Sequence, residues 1–122
     1  MFKDFDISKF KKMKPPGDNT FDTMQEVKEL QKIPINKKFV KDNDNIEQVF
    51  KKIAKDKNIK DYDASIASKL IKSSAPVILE LKKYFDRPRP KASAKSMNLK
   101  MKDIEMASMK TASYPSGHST QG

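Results

Sequence analysis

Ile46, Val49, Phe50, Ile53 and Ala54 fall at i, i+3, i+4, i+7 and i+8, so five apolar side chains share one helical face. No segment alternates apolar and polar residues with the period of two that a half-buried strand requires. An all-α fold is therefore expected. The chain has 122 residues, which is one domain at most. With 36% apolar residues it can bury only a modest core.

Other helices follow from the same periodicity. Phe21, Met24, Val27 and Leu30 mark one that starts near Asn19 or Thr20 and stops at Pro34, with Thr23 and Glu26 spaced as a capping box. A polar stretch follows to about Asn45. Asp44, with Glu47 three residues on, reads as the N-cap of the Ile46 helix, which fades near Lys57. A third helix is expected over 61–74 with Ile66, Leu70 and Ile71 facing inward. Ser74-Ala75-Pro76 reads as a restart, since proline is tolerated in a first turn. The fourth helix carries Val77, Ile78, Leu81, Tyr84 and Phe85 and ends before Pro88. Residues 1–18 read as a loosely docked Lys-rich arm, and 19–122 as the helical domain. Residues 91–114, rich in Lys, Ala, Ser and Met, read as a long loop, with Met97, Met101, Ile104 and Met109 only weakly helical in spacing.

The rare residues narrow the chemistry. There is no cysteine and one histidine, which excludes disulfides, thiolate metal sites and His-rich metal centres. No apolar run approaches the ~18 residues of a membrane span. Met1 to Phe10 mixes Lys and Asp among its apolar residues, unlike a secretory signal, so a cytoplasmic or other intracellular location is expected. Net charge is +10, and residues 87–122 hold half of that excess. Against 24 lysines there are two arginines, Arg87 and Arg89, both in Arg87-Pro88-Arg89-Pro90. Arginine grips phosphate with a planar fork, which lysine lacks.

Two stretches could carry chemistry. The first runs from Lys82 to Pro90, where cations at a helix end precede a proline-stiffened turn. Taken alone it is an ordinary C-terminal cap with charges favourable to the helix dipole. The second runs from Tyr114 to Thr120, with a Pro-Gly turn, three hydroxyls and His118, which can transfer protons near neutral pH. Taken alone it is a turn with a surface histidine. If a helix starts there, its free N–H groups favour anions.

Together they are more specific. Lys82, six intervening residues, Arg89-Pro90, a loop and then Pro115-Ser116-Gly117-His118 resemble the first two of three signature motifs of the type 2 phosphatidic acid phosphatase and vanadium haloperoxidase superfamily. Within it the chain is most similar to the soluble class A bacterial acid phosphatases, through Ser113 to His118 and the proline-rich approach from Lys14 to Phe21. The two motifs cover about 20 residues. The resemblance implies a helical bundle that hydrolyses phosphomonoesters through a phosphohistidine. It implies that Lys82 and Arg89 hold phosphate oxygens, Ser116 and Gly117 hydrogen-bond the phosphate, and His118 protonates the leaving group. Phosphate or vanadate is the expected occupant, with no cofactor. Phosphoryl transfer depends mainly on positioning and on balancing oxygen charge, which suits such a set.

The third motif, Ser-Arg, five residues, His, three residues, Asp, is absent. In the resemblance it supplies the nucleophilic histidine and a second arginine, so the 122-residue chain is expected to be inactive alone. The expectation is an N-terminal portion of a phosphatase domain, a split-gene product or a short protein with a residual anion site, in that the final residues read as the first turn of a helix. The related acid phosphatases are periplasmic. Two other functions compete: a basic module binding nucleic acid or another polyanion through its phosphates, and an assembly subunit completed by a partner chain or an oligomer. Interleaved acids and few base-stacking aromatics disfavour the first.

Overall fold

The computed structural model describes residues 4–104 and 106–122. Among them the regular elements are helical, and no strand occurs. The order is α1 Ile7–Lys11, α2 Phe21–Gln31, α3 Lys37–Asn43, α4 Ile46–Asp56, α5 Ala64–Phe85, α6 Pro90–Ser96, a 3-10 turn at Ala107–Lys110, and α7 Gly117–Gln121. The all-α expectation holds at this level. No helix of the described residues is long and apolar enough to cross a membrane.

Side-chain caps fix where the helices begin. Thr20 caps α2, its hydroxyl oxygen accepting the Thr23 N–H at 3.3 Å. The cap thus lies three residues before the expected Thr23, whose buried hydroxyl instead donates to the Gly17 carbonyl at 2.7 Å. Asn45, not Asp44, caps α4, accepting the Gln48 N–H at 3.2 Å. Asp44 closes α3, a helix in the stretch expected to be irregular. That helix rests on local signals: an Asn36 cap to Phe39 at 3.0 Å and a Lys38–Asp42 pair at 2.6 Å. It buries no residue, so apolar periodicity could not reveal it.

The third and fourth expected helices are one. Asp63 caps α5 by accepting the Ser65 and Ile66 N–H groups, and the helix runs 22 residues with Pro76 inside it. Pro76 lies on an exposed side, where its missing N–H leaves a carbonyl to water rather than to the core. The helix ends at Asp86, which adopts left-handed backbone (φ 46°, ψ 42°) while its N–H bonds the Lys82 carbonyl at 2.8 Å.

The expected loop at 91–114 is corrected in part: α6 occupies 91–96 and the 3-10 turn 107–110, while the rest of its described residues lie outside regular elements. Pro90 starts α6 at its first position, where a missing N–H costs nothing. Ser93 and Ala94 are buried, and α6 packs on α2, where Thr23 and Val27 are buried. Small side chains let the two helices approach without a long apolar stripe. The arm also differs from the expectation. Asp6 caps α1, which packs on α5 with Lys11 at 3.4 Å from Glu80 and 5.0 Å from the Tyr84 ring centre.

Among the described residues the buried apolar ones are Val27, Ala54, Ile78, Leu81 and Ala94. Ile66 and Leu70, expected inward, are 55% and 44% exposed. Helix α1 meets α5 at Glu80 and Tyr84, about 20 Å further along the axis at ~1.5 Å per residue, so it cannot cover them.

Candidate functional site

Lys82, Arg89, Ser116, Gly117 and His118 line one cavity of about 500 Å3. The chain brings them together by pinning the second motif onto the first. The Ser113 N–H donates to the Arg87 carbonyl at 2.9 Å, and its hydroxyl donates to the Pro88 carbonyl at 2.9 Å. Tyr114 adds a hydroxyl bond to the Met13 carbonyl at 2.8 Å and an edge-on ring contact with Phe85 at 5.1 Å. Both residues hold the site together; the sequence placed them in the second motif without giving either this role. A residue that docks a turn through backbone carbonyls has no charge or periodicity to mark it.

Lys82 sits in the last turn of α5 and is buried. Its ammonium donates to the Ala112 carbonyl. Burial, and to a lesser extent the neighbouring Arg89, hold its pKa below the ordinary lysine value. Arg89 follows the turn, donating from Nε to the Thr111 carbonyl at 2.8 Å and from its terminal nitrogen to the Ser108 carbonyl at 3.2 Å. Both cations are therefore aimed at oxygen atoms, all of them from residues 108–112. Arg87 points elsewhere. It pairs with Glu26 at 2.7 Å and reaches the Thr23 hydroxyl at 3.3 Å, tying the turn to α2.

Ser116 caps α7, its hydroxyl oxygen accepting the Ser119 N–H at 3.2 Å, which leaves the hydroxyl hydrogen free to donate. The Gly117 N–H has no acceptor among the described residues. A methyl group on Gly117 would meet nothing within 4 Å, so the fold does not demand glycine here, and the space beside it is open.

His118 Nε2 lies 2.6 Å from the Asp44 carbonyl oxygen, which can only accept, so Nε2 carries the proton. Nδ1 is left as the nitrogen able to serve a reacting group. The Asp44 carboxylate is 3.6 Å from the same Nε2 and accepts the Ser108 hydroxyl at 2.6 Å. Asp44, read from sequence as a helix cap, is thus the main residue of the site that pattern reasoning misplaced. Its spacing to Glu47 fits a cap, and only the fold brings it to His118. Asp44 and Glu47 both line the cavity, so two carboxylates oppose the two cations. No group of three metal-ligating side chains occurs among the described residues.

No family model matches the chain, and no curated protein or solved structure matches it.

Proposed function

We propose that this chain is the phosphate-gripping part of a phosphomonoesterase of the phosphohistidine type. The observation that carries the reading is the shared cavity of Lys82, Arg89, Ser116, Gly117 and His118. Lys82 and Arg89 exchange their carbonyl partners at 108–112 for phosphate oxygens. The Ser116 hydroxyl and Gly117 N–H add neutral donors, and open space beside Gly117 admits the anion. His118, held through Nε2 by Asp44, offers Nδ1 to protonate a leaving oxygen. A chain with one histidine cannot also attack the phosphorus with a second one, so hydrolysis needs a nucleophile from elsewhere.

Orthovanadate titration followed through the single histidine's NMR signals tests this. Saturable shifts of His118, lost in Arg89→Ala, are expected. So is the lack of appreciable turnover of p-nitrophenyl phosphate by the 122-residue chain. Absence of saturable binding overturns the reading. Robust turnover lost on His118→Ala would instead make His118 the nucleophile.

A second reading, an assembly subunit completed by a partner, is supported by the number of large apolar side chains left exposed, among them Phe21, Phe39 and Ile33.

A further inference from the structure

Two cavities of about 1000 and 1050 Å3 adjoin, sharing Lys100, Met101, Asp103, Met106 and Met109 in their linings. Leu30, Ile33, Ile35 and Val40, from the corner between α2 and α3, wall one of them. Leu99 and the lysines of α6 wall the other. Gln31 holds Lys100, which both cavities share, its side-chain amide donating to the Lys100 carbonyl at 2.5 Å. Each cavity alone is at the upper end of the ~300–1,000 Å3 that holds a small ligand. Side by side they suit a polypeptide. The apolar floor is open to solvent, with Ile33 60% and Ile35 45% exposed.

Among the described residues the charges around this floor are one-sided. Lys91 is paired with Asp103 at 3.1 Å. Lys95, Lys100, Lys102 and Lys110 line the cavities and have no carboxylate partner among the described residues. Asp103 is the one described acid in either lining, and Lys91 already occupies it. Lysines crowd many surfaces of this chain, but elsewhere acids are interleaved with them: residues 41–86 hold ten Lys against eight acids.

We propose that this groove receives an amphipathic helix from a partner protein, with its apolar stripe on the methionines and isoleucines and Asp or Glu along its edges. A helix rather than a strand is the fitting element, because the described residues offer no sheet edge to extend. Three flexible thioethers in the floor adapt to an apolar stripe without a rigid pocket for each side chain. The unpaired lysines select an acidic partner and steer its approach. Arg89 borders one of the cavities, so the docked helix lies beside the candidate phosphate site, but the proposal does not depend on that site's chemistry.

The test uses a fluorescent peptide of about 18 residues, roughly five turns, with Leu at i, i+3, i+4 and i+7 and Glu on the flanks. Its anisotropy is followed as the full chain is added. A scrambled peptide of identical composition is the control. The ordered peptide should bind at least about tenfold more tightly than the scrambled one. Ile33→Glu, at an exposed position, and the pair Lys100→Glu with Lys102→Glu should each weaken it by a similar factor. Circular dichroism confirms that the variants remain helical, and orthovanadate binding should not change in Ile33→Glu. Equal binding of both peptides, or full affinity in Ile33→Glu, overturns the proposal. A chain that sediments as a dimer until Ile33→Glu disperses it also overturns it, by making a second copy the occupant.

Discussion

The Ser113 backbone N–H donates to the Arg87 carbonyl at 2.9 Å, and this bond joins the approach to the second motif to the turn of the first. Arg87 itself is anchored on α2, so the path from Glu26 through Arg87 to Ser113 and Ser116 is one continuous support. Arg87→Ala should therefore lower stability by about 1–2 kcal/mol, the worth of a part-exposed charged hydrogen bond. It should also loosen orthovanadate binding although Arg87 does not line the site cavity. Urea unfolding and a vanadate titration of the same variant check both. Unchanged midpoint and affinity would show that the turn holds without it.

The depressed pKa of Lys82 gives a signed pH effect. In the folded chain, burial makes Lys82 lose its proton at lower pH than an ordinary lysine. Between those two points the unfolded chain holds more protons, so this residue's contribution to stability rises with pH across that window. Below it, the buried ammonium is a standing cost. Anion affinity runs the other way and falls through the same window as the positive charge is lost. Lys82→Met should flatten both profiles relative to the parent chain, measured by urea unfolding and vanadate titration at stepped alkaline pH. Parallel profiles in the two proteins would remove Lys82 from the account.

Gly117→Ala separates fold from ligand. The added methyl group meets no atom within 4 Å, and alanine favours helix over glycine by up to about 1 kcal/mol. Thermal stability should hold or rise while vanadate affinity drops at least severalfold. A parent-like affinity would mean that the anion does not approach this amide.

Asp44→Asn should strengthen anion binding. The substitution removes a carboxylate from the cavity while keeping the backbone carbonyl that orients His118. A gain of about threefold or more corresponds to ~0.7 kcal/mol, modest as expected for a charge partly in contact with water. A loss of affinity would show that the carboxylate positions His118 more than it repels the anion.

Pro76→Ala tests the continuity of α5. Proline inside a helix removes one hydrogen bond and crowds the preceding turn. Its exposed side chain gives little packing in return. The unfolding free energy from urea titration should rise, by about 1–3 kcal/mol before the smaller unfolded-chain term is subtracted. Destabilisation would favour two helices abutting at Ser74.

What could be read without coordinates divides by the kind of signal. The α4 stripe is amphipathic, so its helix is visible in Ile46 to Ala54. The site's charged residues are visible because arginine and histidine are otherwise nearly absent. The rest rests on weak or non-local signals. Helix α6 packs through Ser93 and Ala94, residues equally at home in a loop. The Pro76 break is overridden by continuous helical structure on either side. Asp44 and Ser113 matter through partners 74 and 26 residues away. The inward-facing reading of Ile66 and Leu70 failed because periodicity identifies an apolar face but not a neighbour to cover it.

Asp86 ends α5 in a conformation that costs most residues energy and that Asp tolerates better than most. Lys82 lies upstream of that cap, in the last turn of the helix, and Arg89 lies downstream, between two prolines. The interval between them works as a measured arm rather than slack. One residue added before Asp86 would turn everything beyond it by about 100° around the α5 axis, carrying Arg89 off the carbonyls it now grips. One residue removed would do the same in the opposite sense. Exposed side chains within the interval, such as Lys83, are free to vary in kind, while their number is fixed. Insertions and deletions, more than substitutions, are the changes this stretch of chain cannot absorb.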